Sequence, residues 1–161
     1  MRSKGVALGG VTAALAVVIM CMGGLIPLAT FVCPVICMIL LQLLQKPLSN
    51  RNCWVWYVTV SILALLLSPD KESAFVLVFL GYYPIVRNRF PQKVVGAFVK
   101  VFYFNVSILL MYLIMIHLFG MTAILTEFQD LGVVMGAVTL LLGNMTFLVL
   151  DRLLTIFQKK F

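Results

Sequence analysis

The sequence predicts an all-α integral membrane protein, a six-transmembrane-helix bundle with both termini in the cytoplasm. The first observation is composition: 63% of the 161 residues are hydrophobic and only 11% are charged, whereas soluble domains carry about a quarter charged residues. The second is a series of six apolar runs, and the third is the sorting of positive charge to one side of them. The length suits one compact bundle, so residues 1–161 are predicted to form a single transmembrane domain.

The six apolar runs are close to the length that a bilayer requires, because a helix needs about 20 mainly apolar residues to cross the hydrocarbon core. The predicted helices cover residues 6–26, 28–44, 53–67, 69–86, 95–119 and 131–156. The first run follows a basic start, but it is longer than a usual signal-peptide core and no clear cleavage site follows it. It is therefore predicted to be retained as a transmembrane helix.

The fourth helix has the shortest apolar core and a marked start signal. Ser68 is predicted to be the N-cap and Pro69 the first helical residue, with Asp70 in the first turn near the positive end of the helix dipole. A helix over residues 69–86 rises about 27 Å, which is just enough to span. Pro84 predicts a kink or an end on the far side.

Positive charge sorts to one side of these six helices. With the N-terminus inside, the cytoplasmic cations are Arg2, Lys4, Lys46, Arg51, Arg87, Arg89, Lys93, Lys100, Arg152, Lys159 and Lys160. Only Lys71 falls outside, which is typical of the positive-inside rule. The net charge of +7 is thus explained by anchors beside anionic membrane lipids, and no nucleic-acid partner is predicted.

Small residues recur at four-residue spacing along the first helix. Gly5, Gly9 and Ala13 form one row, and Gly10 and Ala14 form the adjacent row. Such rows allow a second helix to approach closely. Two interpretations stay open: packing within the bundle, or a face that contacts a different membrane subunit.

Three polar residues are predicted inside the membrane near its inner boundary: Asn105, Asn144 and Asp151. Counting from Lys100 and Asp151, the two amides lie about 7 and 10 Å deep at 1.5 Å per residue, which favours a mutual hydrogen bond. Such bonds contribute about 1 kcal/mol or less, so a structural role is the main interpretation and a polar ligand lining is the alternative. Asp151 is predicted to pair with Lys100.

Few ionisable residues are predicted on the outer side. His117 lies near the outer end of the fifth helix, and Glu127 and Asp130 follow in a predicted outer loop, where they could pair with it. A satisfied surface histidine is the main interpretation of His117, and a functional role is the alternative, because ionisable residues at membrane depth are functional candidates. The cysteines have no histidine or carboxylate at similar depth, so neither a metal nor another cofactor is predicted. The sequence shows no nucleophile–base pair and no phosphate-binding loop, so an enzyme is not expected.

In size, helix number, inside termini and the stretch "ALGGVTAALAVVIM", the chain resembles the substrate-binding S components of energy-coupling-factor (ECF) vitamin transporters. S components carry an Ala-xxx-Ala-type pattern in the first helix that contacts a transmembrane coupling subunit. Gly9-xxx-Ala13 and Gly10-xxx-Ala14 occupy that pattern here, with Gly in place of the first Ala. The string "PDKE…GYYPI…FN" also looks like uncharacterised small membrane proteins of Gram-positive bacteria.

The resemblance implies a multi-pass subunit of the bacterial cell membrane that binds a vitamin-like micronutrient from outside. Its partners would be the coupling subunit and two ATPases, since the chain has no ATP-binding motif of its own. The family's pocket lies in the outer half, where the candidates are Thr30, Tyr112, His117, Glu127 and Asp130. These residues suit an apolar or cationic ligand better than an anionic one.

A non-transporting membrane scaffold is the alternative. The cell-shape protein MreD has a similar length, although its Gly- and Asp-containing signature after the Pro-Asp turn is not found in "PDKESAFVLVFLGYYPIV". An MreD-like scaffold would act through helix–helix and inner-face contacts. A third possibility is an accessory subunit that binds lipid rather than a water-soluble solute.

Overall fold

The computed structural model describes residues 2–23, 29–87, 94–117, 120 and 123–160. Within these ranges every regular element is a helix, which confirms the predicted all-α class. The helices are α1 (Arg2–Met22), α2 (Ala29–Leu44), α3 (Asn50–Leu67), α4 (Lys71–Leu80), α5 (Tyr83–Val86), α6 (Val94–His117) and α7 (Ala123–Lys160).

Most of the predicted helices start and end within four residues of the observed bounds, where those bounds are described. The ends predicted at residues 26 and 119 and the start predicted at residue 28 lie outside the described residues. The last helix differs more, since α7 begins at Ala123 rather than at residue 131. The predicted outer loop at Glu127 and Asp130 is therefore wrong, because both residues lie within the helix. The stretch "AILTEFQD" contains neither Gly nor Pro, so nothing in it interrupts the helix.

The fourth predicted helix is in fact two helices. Ser68 is the C-cap of α3, and its backbone N–H donates to the carbonyl of Ala64. Asp70 is the N-cap of α4, where its carboxylate accepts from the backbone N–H of Ser73 at 3.2 Å. The assignment of Ser68 as this N-cap was wrong, because the carboxylate two residues later takes that role.

The interruption between α4 and α5 lies at Gly81 and Tyr82. Pro84 stands in the first turn of α5, and it has no N–H to donate to the carbonyl four residues earlier. Gly81 closes α4 by donating its N–H to the carbonyl of Leu77 at 2.7 Å. The predicted kink at Pro84 is therefore present as a break about three residues upstream.

The chain divides into two compact units, residues 1–89 with 154–161 and residues 90–153. In the first unit, α1 to α4 pack around a core that includes Ala16, Met20, Cys37, Leu41, Cys53, Val60, Ala64 and Leu77. The start of α1 lies beside the connection between α2 and α3, because a Cβ on Gly5 would lie 3.8 Å from the carbonyl oxygen of Pro47. The end of α1 lies beside the end of α3, because Ser68 donates to the carbonyl of Met20. The four helices thus run alternately up and down.

The connection between α3 and α4 ties three helix ends together. Ser68 Oγ donates to the carbonyl of Met20, at the end of α1, at 3.1 Å. Lys71 Nζ donates to the carbonyls of Leu65 and Ser68, both at 2.9 Å. These carbonyls belong to the last turn of α3, which has no intrahelical donors for them. The ammonium group therefore caps α3 while α4 begins.

The second unit contains α6 and most of α7. Phe104 and Phe147 stack with ring centroids 5.0 Å apart. A Cβ on Gly143 would lie 3.3 Å from the ring of Phe104, so the glycine allows that ring to approach α7 closely. The absence of a side chain at Gly143 thus lets the two helices come together at this level.

Two helices in the described part of the chain are long and apolar enough to cross a membrane by length and composition. They are Gly5–Met22 in α1 and Phe98–His117 in α6. The apolar stretch Thr30–Leu44 of α2 is shorter.

We predict that Gly81→Ala destabilises the protein. The added Cβ would collide with the carbonyl oxygen of Leu77 and lie 3.1 Å from the ring of Tyr57, and overpacking of this kind costs about 1–3 kcal/mol. Gly10→Ala is the matched control, because its Cβ would meet nothing within 4 Å. Thermal unfolding in detergent, followed by circular dichroism, measures the difference. Equal unfolding midpoints for the two variants would contradict the close approach at Gly81.

Candidate functional site

The two small-residue rows of α1 have different surroundings. Gly9 is buried, and a Cβ there would lie 3.4 Å from Leu48, in the segment between α2 and α3. Ala13, in the same row, packs against the core of the first unit. The contacts of this row favour packing within the bundle, the first of the two interpretations left open above.

The adjacent row is open. Gly10 and Ala14 are both exposed, and nothing lies within 4 Å of a Cβ built on Gly10. Val6 and Val18 continue the row at four-residue spacing, with 67% and 55% of their surface exposed. The row is therefore a shallow groove of small residues between larger apolar ones, a shape that suits another helix.

A hydrogen bond fixes the orientation of α1 beside this groove. Trp56 Nε1, on α3, donates to Thr12 Oγ1 at 3.2 Å, while the same hydroxyl donates to the carbonyl of Leu8 at 2.8 Å. Because Thr12 is held towards α3, the residues on the opposite side of α1 face outward. The open row is thus a consequence of how the first unit packs.

The second unit contains the predicted polar pairs. The side chains of Asn105 and Asn144 exchange two hydrogen bonds, at 2.9 and 3.3 Å. Lys100 and Asp151 form an ion pair at 2.7 Å, with side-chain exposures of 16% and 13%. The residue numbers rise along α6 as they fall along α7, so these helices are antiparallel.

Both amides are also bonded within their own helices. Asn105 Nδ2 donates to the carbonyl of Val101 and Asn144 Nδ2 to that of Leu140, each at 2.8 Å. Each side chain thus uses both its donor and its acceptor, as a structural pair requires. The geometry supports a structural role for this pair, which links α6 to α7 by hydrogen bonds.

The two predicted ligand residues on α6 do not share one face of that helix. Tyr112 and His117 are five residues apart on α6, which places them about 140° apart around the helix. His117 is exposed, and its Nδ1 lies 3.2 Å from the carbonyl of Leu113 in its own helix. Thr30 is partly buried in the first turn of α2 and belongs to the first unit. The side chains of Glu127 and Asp130 lie outside the described residues, as does their predicted pairing with His117.

A polar cluster that the sequence analysis did not single out lies at the end of α2. Gln42 is buried, with 6% exposure, and its Oε1 has no hydrogen-bond partner among the described residues. Nε2 of Gln45 is likewise buried and without a partner in that part of the chain. The signal in the sequence was the string "LLQLLQ", two amides in an otherwise apolar helix end.

The four cysteines are free thiols, three of them buried. Within the described ranges, no group of three or more His, Cys, Asp or Glu side chains lies close enough to hold a metal ion.

Comparisons with known proteins do not identify a family for this chain. No protein-family model matches the chain, and no curated protein or solved structure matches it either. The functional argument therefore depends on the geometry of the chain itself.

We predict measurable coupling between Asn105 and Asn144. In a double-mutant cycle with alanine at each position, the interaction free energy should be about 0.6–1 kcal/mol, close to the average measured for side-chain hydrogen bonds between membrane helices. Reversible unfolding in mixed micelles supplies the four free energies. Asn52→Ala, at an exposed amide of α3, combined with Asn144→Ala serves as the uncoupled control. Additive effects of the two substitutions would show that the interaction between the two amides contributes nothing to stability.

Proposed function

We propose that the chain is a multi-pass integral membrane protein, and α6 carries this proposal. Its segment Phe98–His117 is long and apolar enough to span, yet only 22% of it is buried inside the protein. The core helix of a soluble protein would be mostly buried, and a signal sequence would lie at the N-terminus. An apolar helix in the middle of the chain that fits neither description is best explained as a helix whose surface contacts lipid.

Exposed apolar side chains extend this argument to other helices. Phe98 and Phe102 of α6 are more than 70% exposed, and so is Leu66 of α3. Leu141 and Met145 of α7 are about 60% exposed. Soluble monomers rarely expose large contiguous apolar patches, so the observed exposure supports six spans: α1, α2, α3, α4 with α5, α6 and α7.

The charges of the first unit support an orientation. Lys46 and Arg51 flank the connection between α2 and α3, beside the start of α1. Asp70 and Lys71 lie at the opposite end of the unit, where α1 and α3 end. Under the positive-inside rule the first of these ends is cytoplasmic, which makes the N-terminus cytoplasmic as well.

Cysteine labelling tests this topology. In a variant whose four native cysteines are replaced by alanine, we expect Lys71→Cys to react with a membrane-impermeant maleimide in intact cells. Lys46→Cys should react only after the membrane is permeabilised, because it would face the cytoplasm. Both side chains are exposed, so accessibility within the protein is matched. Labelling of both positions in intact cells would refute the proposed span arrangement.

We further propose, on the resemblance described above, that the chain is a substrate-binding subunit for uptake of a vitamin-like micronutrient. A separate membrane coupling subunit with its ATPases would supply the energy. The open row of α1, at Gly10 and Ala14, supports this proposal, because it is a groove that another membrane helix fits. The pocket itself is assigned to the outer half by the resemblance alone.

Two glycines one residue apart provide a matched test. Gly10→Leu fills the open groove, so we expect the folded protein to lose more than 90% of its partner in a mild-detergent pull-down from native membranes. Gly9→Leu instead enters the space beside Leu48, and we expect it to lower the unfolding temperature because the site is already filled.

Mass spectrometry of the captured proteins then decides between the candidate functions. Recovery of a coupling subunit and ATPases, dependent on Gly10, would support the uptake subunit. Recovery of cell-wall or other membrane machinery without ATPases would replace it with the MreD-like scaffold, which uses the same open row for a different partner. If Gly10→Leu captured the same partners as the unchanged protein, α1 would not be the contact face of either the uptake subunit or the scaffold.

A further inference from the structure

The break between α4 and α5 is small in backbone terms. Gly81 has φ −62° and ψ −23°, and Tyr82 has φ −81° and ψ −6°. Both residues lie close to the right-handed helical region, where φ is about −63° and ψ about −42°. A modest change in ψ at these two residues would therefore join α4 and α5 into one helix.

Pro84 explains only part of this break. A proline has no N–H, so it removes the hydrogen bond to the carbonyl four residues earlier, which is that of Leu80. It does not remove the N–H of Tyr82, which would donate to the carbonyl of Val78 in a continuous helix. The hydrogen-bond ladder of α4 nevertheless ends before that bond, because α4 stops at Leu80. Another interaction must therefore keep the carbonyl of Val78 out of the ladder.

The side chain of Tyr57, on α3, supplies this interaction. Its hydroxyl donates to the carbonyl of Val78. Insertion of a side chain into the backbone ladder is a known cause of helix interruption, because the carbonyl tilts towards the new donor and away from the N–H of its own helix. The phenol of Tyr57 and the N–H of Tyr82 thus compete for one carbonyl.

Ring packing keeps the tyrosine side chains of the break in place. The ring of Tyr57 makes edge contacts with Trp54 and Tyr82, each with centroids 5.9 Å apart, and Trp54 stacks with Tyr82 at 6.1 Å. A Cβ on Gly81 would lie 3.1 Å from the ring of Tyr57, so the glycine allows the phenol to approach the break. Since Tyr82 belongs to the break, its ring contacts also favour the interrupted form.

We propose that Tyr57 controls a conformational switch between α4 and α5. In the form described here, its hydroxyl holds the carbonyl of Val78 and the two helices are separate. When this bond opens, the carbonyl accepts from the N–H of Tyr82, and α4 and α5 form one helix that is kinked at Pro84. Gly81 and Tyr82 are the residues whose backbone changes.

The switch would reach beyond the break through Arg87. This residue directly follows α5, and its guanidinium donates to the hydroxyl of Thr155 in α7. Thr155 belongs to the same compact unit as α4 and α5. A change in the direction of α5 would therefore act on the last part of α7. None of these contacts depends on the proposed membrane placement or on a partner protein.

NMR chemical shifts of the full-length protein in detergent micelles test the switch, since the shifts of α-carbons and carbonyl carbons report φ and ψ. In Tyr57→Phe the ring stays and only the hydroxyl is lost. We expect the carbon shifts of Gly81 and Tyr82 to move downfield, towards helical values, because the carbonyl of Val78 is released to the backbone. Tyr103→Phe, which removes a phenolic hydroxyl from the second unit, should leave both residues unchanged.

Three results of this experiment would overturn the proposal. Unchanged shifts in Tyr57→Phe would mean that the break is fixed and that the hydroxyl does not control it. Upfield shifts would mean that the break loosens instead of closing. An equal change in Tyr103→Phe would mean that the response is not specific to the hydroxyl at Val78.

Pro84→Ala keeps the test decisive if Tyr57→Phe does not fold. It restores an N–H for the carbonyl of Leu80 but leaves the hydroxyl of Tyr57 on its carbonyl. We therefore expect the carbon shifts of Gly81 to stay at their values in the unchanged protein. Helical shifts at Gly81 in this variant would show that the proline alone makes the break, and they would also overturn the proposal.

Discussion

The connection between α3 and α4 is the constraint on which the first unit depends. Within a few residues it must end one helix, reverse the chain and start another. Ser68 also reaches the end of α1 through the carbonyl of Met20. Lys71 donates to the carbonyls of Leu65 and Ser68, and Asp70 accepts from the N–H of Ser73 in the first turn of α4. This role also accounts for a basic residue on the acidic side of the unit, because the ammonium group is used as a helix cap.

The sequence was most informative where the period and length of apolar runs decide the structure. It placed α1, α2, α3 and α6 to within a few residues and identified the pairing of Asn105 with Asn144, because depth along a helix follows from counting. It was wrong where two residues compete for one role, as Ser68 and Asp70 do at the start of α4. It also could not divide the small residues of α1, because the two rows have the same composition. Only the path of the chain at Leu48 decides that Gly9 is inside and Gly10 outside.

Buried polar groups in the two units differ in how far the described residues satisfy their hydrogen bonds. In the second unit, the described amides and the Lys100–Asp151 ion pair bond to each other across α6 and α7, and the oxygens and nitrogens involved are matched. In the first unit, Gln42 Oε1 and Gln45 Nε2 are buried atoms that have no hydrogen-bond partner among the described residues. The first arrangement is typical of a structural pair and the second is not, although both come from amides in or beside apolar helices. Residue type alone therefore could not distinguish the two arrangements, whereas the pairing of each hydrogen-bond donor and acceptor in the structure does.

The break between α4 and α5 has a consequence for biogenesis. The ten residues of α4 rise about 15 Å, roughly half the hydrocarbon thickness of a bilayer. Under the proposed membrane placement, such a segment is too short to cross the bilayer on its own. The hydroxyl of Tyr57, on α3, already bonds the carbonyl of Val78 just before the break. Under the proposed membrane placement, α3 and the two half-helices would therefore have to enter the membrane together, as a preassembled hairpin.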